Sequence, residues 1–129
     1  MTEGQHLVLV VDDDLAVRES LKFALELEGL EVQACSGGAD QLAHPSLSRA
    51  DCLVLDHNMP SMGGFTVLAR LRTLNCHVPV VLITDHATDA LRRRALAAGV
   101  RHVVEKPLLD SALLDSILDI LGAPDWRAA

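Results

Sequence analysis

Three stretches of the chain are almost wholly apolar: LVLVV (Leu7 to Val11), CLVL (Cys52 to Leu55) and VPVVLI (Val78 to Ile83). They are short, rich in β-branched residues, and lack the alternating polar positions of a strand with one wet face. This is the pattern of strands covered on both faces. EVQACS (Glu31 to Ser36) and VRHVVE (Val100 to Glu105) predict two weaker strands. Between these runs the apolar spacing lengthens to that of a helix. Asp14 predicts the cap of a helix over Leu15 to Glu28. Val17, Leu21 and Leu25 line one side of it, Arg18, Glu19, Lys22 and Glu26 the other, and Gly29 ends it. A second clear helix is predicted over about Gly64 to Leu74, with Val67, Leu68, Leu71 and Leu74 as its stripe. A third spans about Thr88 to Ala98 and stops at Gly99. The last starts near Asp110 or Ser111, burying Leu113, Leu114, Ile117, Leu118 and Leu121 and exposing Asp115 and Asp119. From Ala39 to Ala50 the pattern fades, and Pro45 predicts one or two helical turns and a loop.

The alternation reads βαβαβαβαβα. Doubly buried strands separated by helices imply a parallel sheet with helices on both faces. Right-handed crossovers then favour a doubly wound, five-stranded α/β fold of the flavodoxin-like order 2-1-3-4-5. No repeat, low-complexity tract or linker interrupts it. One domain over residues 1–129, with its core at about 7–121 and no output domain in this chain, is the expectation.

Composition narrows the function classes. Half of the 129 residues are apolar, enough for a sizeable core, and the formal net charge is −7, which gives a nucleic-acid partner no support. Arg92, Arg93 and Arg94 form the only basic run, read as a solvated helix face or a protein-docking patch. Cys35, Cys52 and Cys76 form no C-x-x-C pair and fall in or beside apolar stretches. They read as small buried hydrophobes in a reducing compartment. MTEGQH has neither a basic start nor an apolar core of an export signal, and no apolar run approaches the ~20 residues of a membrane span. A soluble, cytoplasmic protein is expected.

The chemistry lies where the strands end. The first predicted strand runs into Asp12, Asp13 and Asp14, the third into Asp56, the fourth into Thr84, and the fifth into Lys106 and Pro107. Open α/β sheets bind ligands at this edge, and in the order 2-1-3-4-5 the first and third strands are neighbours. Asp12, Asp13 and Asp56 therefore share one crevice. Two carboxylates ~4 Å apart repel by about 4 kcal/mol at an effective dielectric of ~20, so the cluster calls for a cation. Mg²⁺, which prefers oxygen ligands and keeps several waters, suits it. Asp14 reads as a helix cap. Lys106 and Thr84 would be superfluous in a metal store. With Mg²⁺ they surround one carboxylate as a phosphoryl-transfer site does, and that carboxylate can be the nucleophile.

At these residues the sequence closely resembles the receiver domain of two-component response regulators. The matching motifs are VVDDD (Val10 to Asp14), LDHNMPSMGG (Leu55 to Gly64), ITD (Ile83 to Asp85) and EKP (Glu105 to Pro107), and the resemblance covers about Leu7 to Leu121. It implies that Asp56 is the phosphoacceptor. Asp13, Asp56 and the backbone carbonyl of Asn58 would ligate Mg²⁺, and Asp12 would hold the metal's waters. Lys106, before a cis proline, would pair with the phosphoryl group, and Thr84 would swing toward it. Met59, Pro60, Gly63 and Gly64 would shape the loop after the acceptor. Two positions depart from the family: Val103 stands where an aromatic is usual, in a chain without tyrosine, and Asp85 where a small residue is usual. His57 and His86 read as exposed loop histidines.

The resemblance implies a phosphorylation-dependent switch, not an enzyme in the ordinary sense but an acceptor that catalyses its own phosphorylation and dephosphorylation. Its partners would be a sensor histidine kinase or histidine phosphotransfer protein and a downstream protein target, with no direct nucleic acid and no membrane. It would be a monomer or a phosphorylation-dependent homodimer, the latter pairing Arg92 to Arg94 of one subunit with Asp110, Asp115 and Asp119 of the other. Two alternatives stay open: a phosphorylation-independent interaction module with a vestigial site, and an aspartyl-phosphate hydrolase, for which Asp12 and Asp14 have the D-x-D spacing. A flavin carrier on the same fold is disfavoured, because Asp12 to Asp14 would repel its phosphate.

Overall fold

The computed structural model describes residues 5–37, 46–60, 62–108 and 111–128. Strands β1 (Leu7–Val11), β2 (Glu31–Cys35), β3 (Cys52–Asp56), β4 (Val80–Thr84) and β5 (His102–Glu105) form one parallel sheet, ordered β2-β1-β3-β4-β5. Four α-helices lie among the described residues: α1 (Leu15–Glu26), α2 (Gly64–Thr73), α3 (Asp89–Ala97) and α4 (Ala112–Leu121). A short 3-10 turn at Leu47–Arg49 occupies the end of the weakly patterned stretch, whose residues 39–45 lie outside the described ones, as does Asp110.

Every residue of β1, β3 and β4 is buried, which is why these segments carry unbroken apolar runs. The pleat sends alternate side chains to opposite faces. Leu9, Val11, Leu53, Leu55, Val80 and Leu82 pack with Val67, Leu68 and Leu71 of α2 and Ala95 of α3. Val8, Val10, Val54, Val81 and Ile83 pack on the other face with Leu25 of α1 and Leu113, Ile117 and Ile120 of α4.

Element ends differ from the sequence pattern for local reasons. β4 begins after Pro79, which has no N–H to give a neighbouring strand; its carbonyl still accepts from the Leu53 amide at 2.9 Å. β5 begins at His102 because Val100 donates back to Ala95, closing the last turn of α3. α1 stops at Glu26, and Gly29 takes the left-handed conformation (φ 86°) that ends the turn. Leu118, expected inward on α4, is 47% exposed, and Ile120 is buried in its place. Leu74 is likewise exposed because it lies at the cap of α2, past the helical stripe.

The edge of the sheet opposite Asp56 is closed by the C-terminal 3-10 turn, Trp126–Ala128. The Trp126 indole N–H donates to the Ala50 carbonyl at 2.9 Å. The Arg127 guanidinium donates to the Ser48 and Ala50 carbonyls, each at 3.2 Å, and pairs with Asp51. Asp51 in turn accepts from the Leu7 amide at 2.8 Å, so the turn is tied to the start of β1.

Candidate functional site

The sheet gathers Asp12, Asp56, Thr84 and Lys106 at the carboxyl ends of four different strands. Asp12 directly follows β1, Asp56 and Thr84 end β3 and β4, and Lys106 directly follows β5. Asp12 and Asp56 are each 2% exposed and Thr84 is 1% exposed; among the described residues the only other buried polar side chain is Ser46. Buried polar groups are costly without partners, so their concentration at one edge marks it out.

The three consecutive aspartates have separate positions. Asp14 turns away, its carboxylate accepting from the Ala16 and Val17 amides at 2.9 and 3.2 Å as the cap of α1. Asp12 and Asp13 join Asp56, with carboxylate oxygens of all three within 4.8 Å of one another. Asp12 Oδ1 accepts from the Asp14 amide at 2.9 Å, but its Oδ2 is buried with no hydrogen-bond partner. Arg18 fixes the main chain here by donating to the Asp12 carbonyl at 2.8 Å. Burial, reinforced by the Asp56 and Asp13 charges, holds the Asp12 carboxyl above its usual range, against the opposing pull of the Asp14 amide and Lys106. An unpartnered buried carboxylate oxygen in an all-oxygen cluster fits a hard divalent cation.

Lys106 Nζ lies 3.2 Å from Asp56 Oδ1 and 3.8 Å from Asp85 Oδ1. Burial alone would lower the pKa of its ammonium, but the charge and hydrogen bond of Asp56, with Asp12 and Asp85, raise it overall. Its amide donates to the Thr84 carbonyl at 2.8 Å, and the Lys106–Pro107 bond is cis. Asp56 Oδ1 also accepts from the Asn58 amide at 3.1 Å. The Thr84 hydroxyl has only long contacts: 3.5 Å to Asn58 Oδ1, 3.5 Å to the His86 carbonyl, and 3.4 Å from the His86 amide.

Two bracing residues carry no signal in the sequence pattern. The Asn58 side-chain oxygen accepts from the Asp85 amide at 2.9 Å, tying the loop after β3 to the end of β4. Glu105 Oε2 accepts from the Ala87 amide at 2.8 Å, tying β5 to the loop before α3. Both are long-range contacts that reach into loops, which periodicity cannot reveal. His86 is exposed, as its loop position predicts. His57 is not the exposed loop residue expected. It is half-buried, its Nδ1 is fully enclosed without a partner, and its ring meets Phe65 edge-on with centroids 5.0 Å apart. The cause is the tight entry into α2: a Cβ on Gly64 would lie 2.9 Å from Leu82 Cδ1 and 3.1 Å from His57 Cα, so only glycine lets the helix start this close.

The family model for the response regulator receiver domain matches residues 8–118. Transcriptional regulatory protein FixJ of Azorhizobium caulinodans is 39% identical over 116 residues, covering 89% of this chain and 54% of that protein. Nodulation protein W of Bradyrhizobium diazoefficiens is 34% identical over 112 residues, covering 87% and 49%. The crystal structure of FixJ-N superposes with a TM-score of 0.82 at 30% identity, covering 93% of this chain and 96% of that one. The chain spans about half the length of these two curated relatives.

Proposed function

Because this chain belongs to the receiver-domain family of two-component response regulators, we propose that it is a phosphorylation-dependent switch with Asp56 as its acceptor. The observation that carries this reading is the setting of Asp56: buried, 3.2 Å from the Lys106 ammonium, and clustered with the Asp12 and Asp13 carboxylates. Lys106 and the Asn58 amide hold Oδ1, leaving Oδ2 as the attacking oxygen. The Oδ2–P bond forms as the P–N bond of a donor phosphohistidine breaks, and the leaving imidazole keeps the electron pair and is protonated. Lys106 then pairs with a phosphoryl oxygen, and the Thr84 hydroxyl exchanges its long contacts for a hydrogen bond to another. Asp12, Asp13, Asp56 and the Asn58 carbonyl would hold Mg²⁺, whose charge neutralises phosphoryl oxygens when bound. The same groups assist attack by water on the acyl phosphate, so the chain would catalyse both its loading and its discharge.

A sensor kinase or histidine phosphotransfer protein is the proposed donor. Beside the acceptor lies an open groove of about 750 Å³, bounded by Ala16, Ser20 and Ala24 of α1 and by Pro107 and Leu108, with Lys106 and Asp85 at its edge. Its apolar wall can seat a donor helix next to Asp56. A D-x-D hydrolase would need Asp14 in the crevice, whereas Asp14 caps α1. Val103 is half-buried against the α2 side of the core. Switching therefore runs through Thr84 and the loops it contacts, without an aromatic rotamer. The curated relatives named above include a transcriptional regulator. Control of transcription is the output that this name supports as a proposal.

Asp56→Asn tests the assignment. Intact-protein mass spectrometry after incubation with a phosphodonor and Mg²⁺ should show a single phosphoryl adduct on the wild type and none on the variant, which stays folded because the change is nearly isosteric. An adduct of normal yield on the variant would overturn the reading.

A further inference from the structure

In a chain of net charge −7, α2 and α3 together carry Arg70, Arg72, Arg92, Arg93 and Arg94 against one acidic residue, Asp89. These helices pack on the sheet face opposite α1 and α4. Between them runs an open groove of about 360 Å³, lined by Phe65, Thr66, Ala69, Arg70, Thr73 and Arg94. Thr66, Ala69, Arg70 and Thr73 follow the i, i+3, i+4, i+7 spacing of one helix face, and all four are exposed. The Arg94 guanidinium lies 3.9 Å above the Phe65 ring, which holds it at the groove wall. Among the described residues no carboxylate pairs with Arg70, Arg93 or Arg94. Arg92 differs: it donates to the Ala87 and Val103 carbonyls at 3.3 and 3.4 Å.

We propose that the α2–α3 groove docks a short acidic segment of a partner protein, with carboxylates on Arg70 and Arg94. Guanidinium groups match carboxylates in a two-pronged geometry, and small side chains at positions 66, 69 and 73 let a partner backbone approach closely. A protein segment fits better than a nucleic acid. One face of Phe65 lies under Arg94 and its ring meets His57, so no aromatic platform is free for a base. The basic surface is an island on an acidic protein, which repels a long polyanion beyond the groove. The site is independent of acceptor chemistry, and it leaves the α1 groove free, so donor and acidic partner can be held at once.

The test uses ¹⁵N-labelled full chain titrated with an octaglutamate peptide. Amides over residues 65–73 and 90–97 should shift most, saturably, with affinity falling as salt is added. Arg70→Glu with Arg94→Glu should weaken binding at least tenfold, whereas Arg49→Glu, an exposed charge elsewhere, should leave it unchanged. If circular dichroism shows the double reversal to be misfolded, Arg70→Gln with Arg94→Gln carries the comparison. Shifts centred elsewhere, no saturation, or equal binding by the groove variants would overturn the proposal. So would an eight-nucleotide oligothymidylate that shifts the same amides at lower concentration.

Discussion

At Asp12, burial and neighbouring carboxylates both oppose the charge, and the acid-base behaviour of the fold follows. Its pKa lies above the ordinary 3.8, so the folded chain keeps a proton that the unfolded chain has released. Through that window stability falls as pH rises, and below the ordinary value the effect vanishes. Without metal, the melting temperature should therefore decline from the acidic limb toward neutral pH, and less steeply in Asp12→Asn. At neutral pH the variant should be the more stable by a few degrees. Added Mg²⁺ should reverse the order, stabilising the wild type by about 2.7 kcal/mol at a hundredfold excess over Kd and Asp13→Ala by less. Differential scanning calorimetry with and without the ion reads both effects; equal Mg²⁺ shifts in wild type and Asp13→Ala would move the metal elsewhere. Lys106 is raised too, so its effect also falls as pH rises, but as a favourable contribution that is present at neutral pH and lost only above 10.5. Asp85 sits at the mouth of the site, its side chain 55% exposed and 3.8 Å from Lys106. A small dianionic donor meets that carboxylate unaided, whereas a docked protein donor has binding energy to offset it. Asp85→Ala should speed labelling by acetyl phosphate severalfold and transfer from a cognate kinase little, with salt shrinking the difference. Equal responses in the two labelling rates would remove Asp85 as a gate. Asp12, Asp13, Asp56, Thr84 and Lys106 could be placed together from sequence because each follows or ends an apolar run. Asn58's side-chain brace and the enclosure of His57 could not, since both depend on how two loops meet.

At the scale of elements, the strands were the most legible part. A strand buried on both faces is apolar along most of its length, so Leu7–Val11 and the Cys52 to Leu55 run of β3 announce themselves. Helix faces were less so: Leu118 and Ile120 are both apolar, and which one turns inward depends on the sheet beneath α4. The loop from β3 into α2 gives a sharper contrast between two glycines. At Gly64 the added methyl of Gly64→Ala collides with the Leu82 side chain and with the His57 backbone, which cannot move freely. We expect a loss of about 1–3 kcal/mol, as for overpacking. Gly29→Ala meets open space but must hold a φ of +86°, so it should cost about 1 kcal/mol. Urea denaturation of the two variants separates steric from conformational cost, and a Gly64→Ala protein as stable as Gly29→Ala would show that α2 can retreat.

For the whole molecule, the sheet separates two different surfaces: α1 with its apolar groove, and α2–α3 with its arginines. The arginine-to-aspartate homodimer, one of the two states left open by the sequence, must compete with contacts already made inside the chain. Arg92 is bound to two carbonyls, and Asp119 lies 2.8 Å from the His102 ring. Sequence spacing displays charges on helices but not which of them the fold has already used. The clamp at the far edge of the sheet has an optical consequence. Trp126 is the only tryptophan and there is no tyrosine, so near-ultraviolet excitation above the phenylalanine band addresses one indole. That indole binds the Ala50 carbonyl, two residues before β3, whereas Asp56 ends the strand; the steps from Ala50 to Asp56, at about 3.3 Å each, separate them by about 20 Å. Intrinsic fluorescence should therefore respond strongly to denaturant, or to release of the C-terminal turn in Arg127→Ala, and stay flat when Mg²⁺ fills the acidic crevice. His57→Trp would put a second chromophore beside Asp56, and quenching of that emission by Mg²⁺ would give the site a signal of its own.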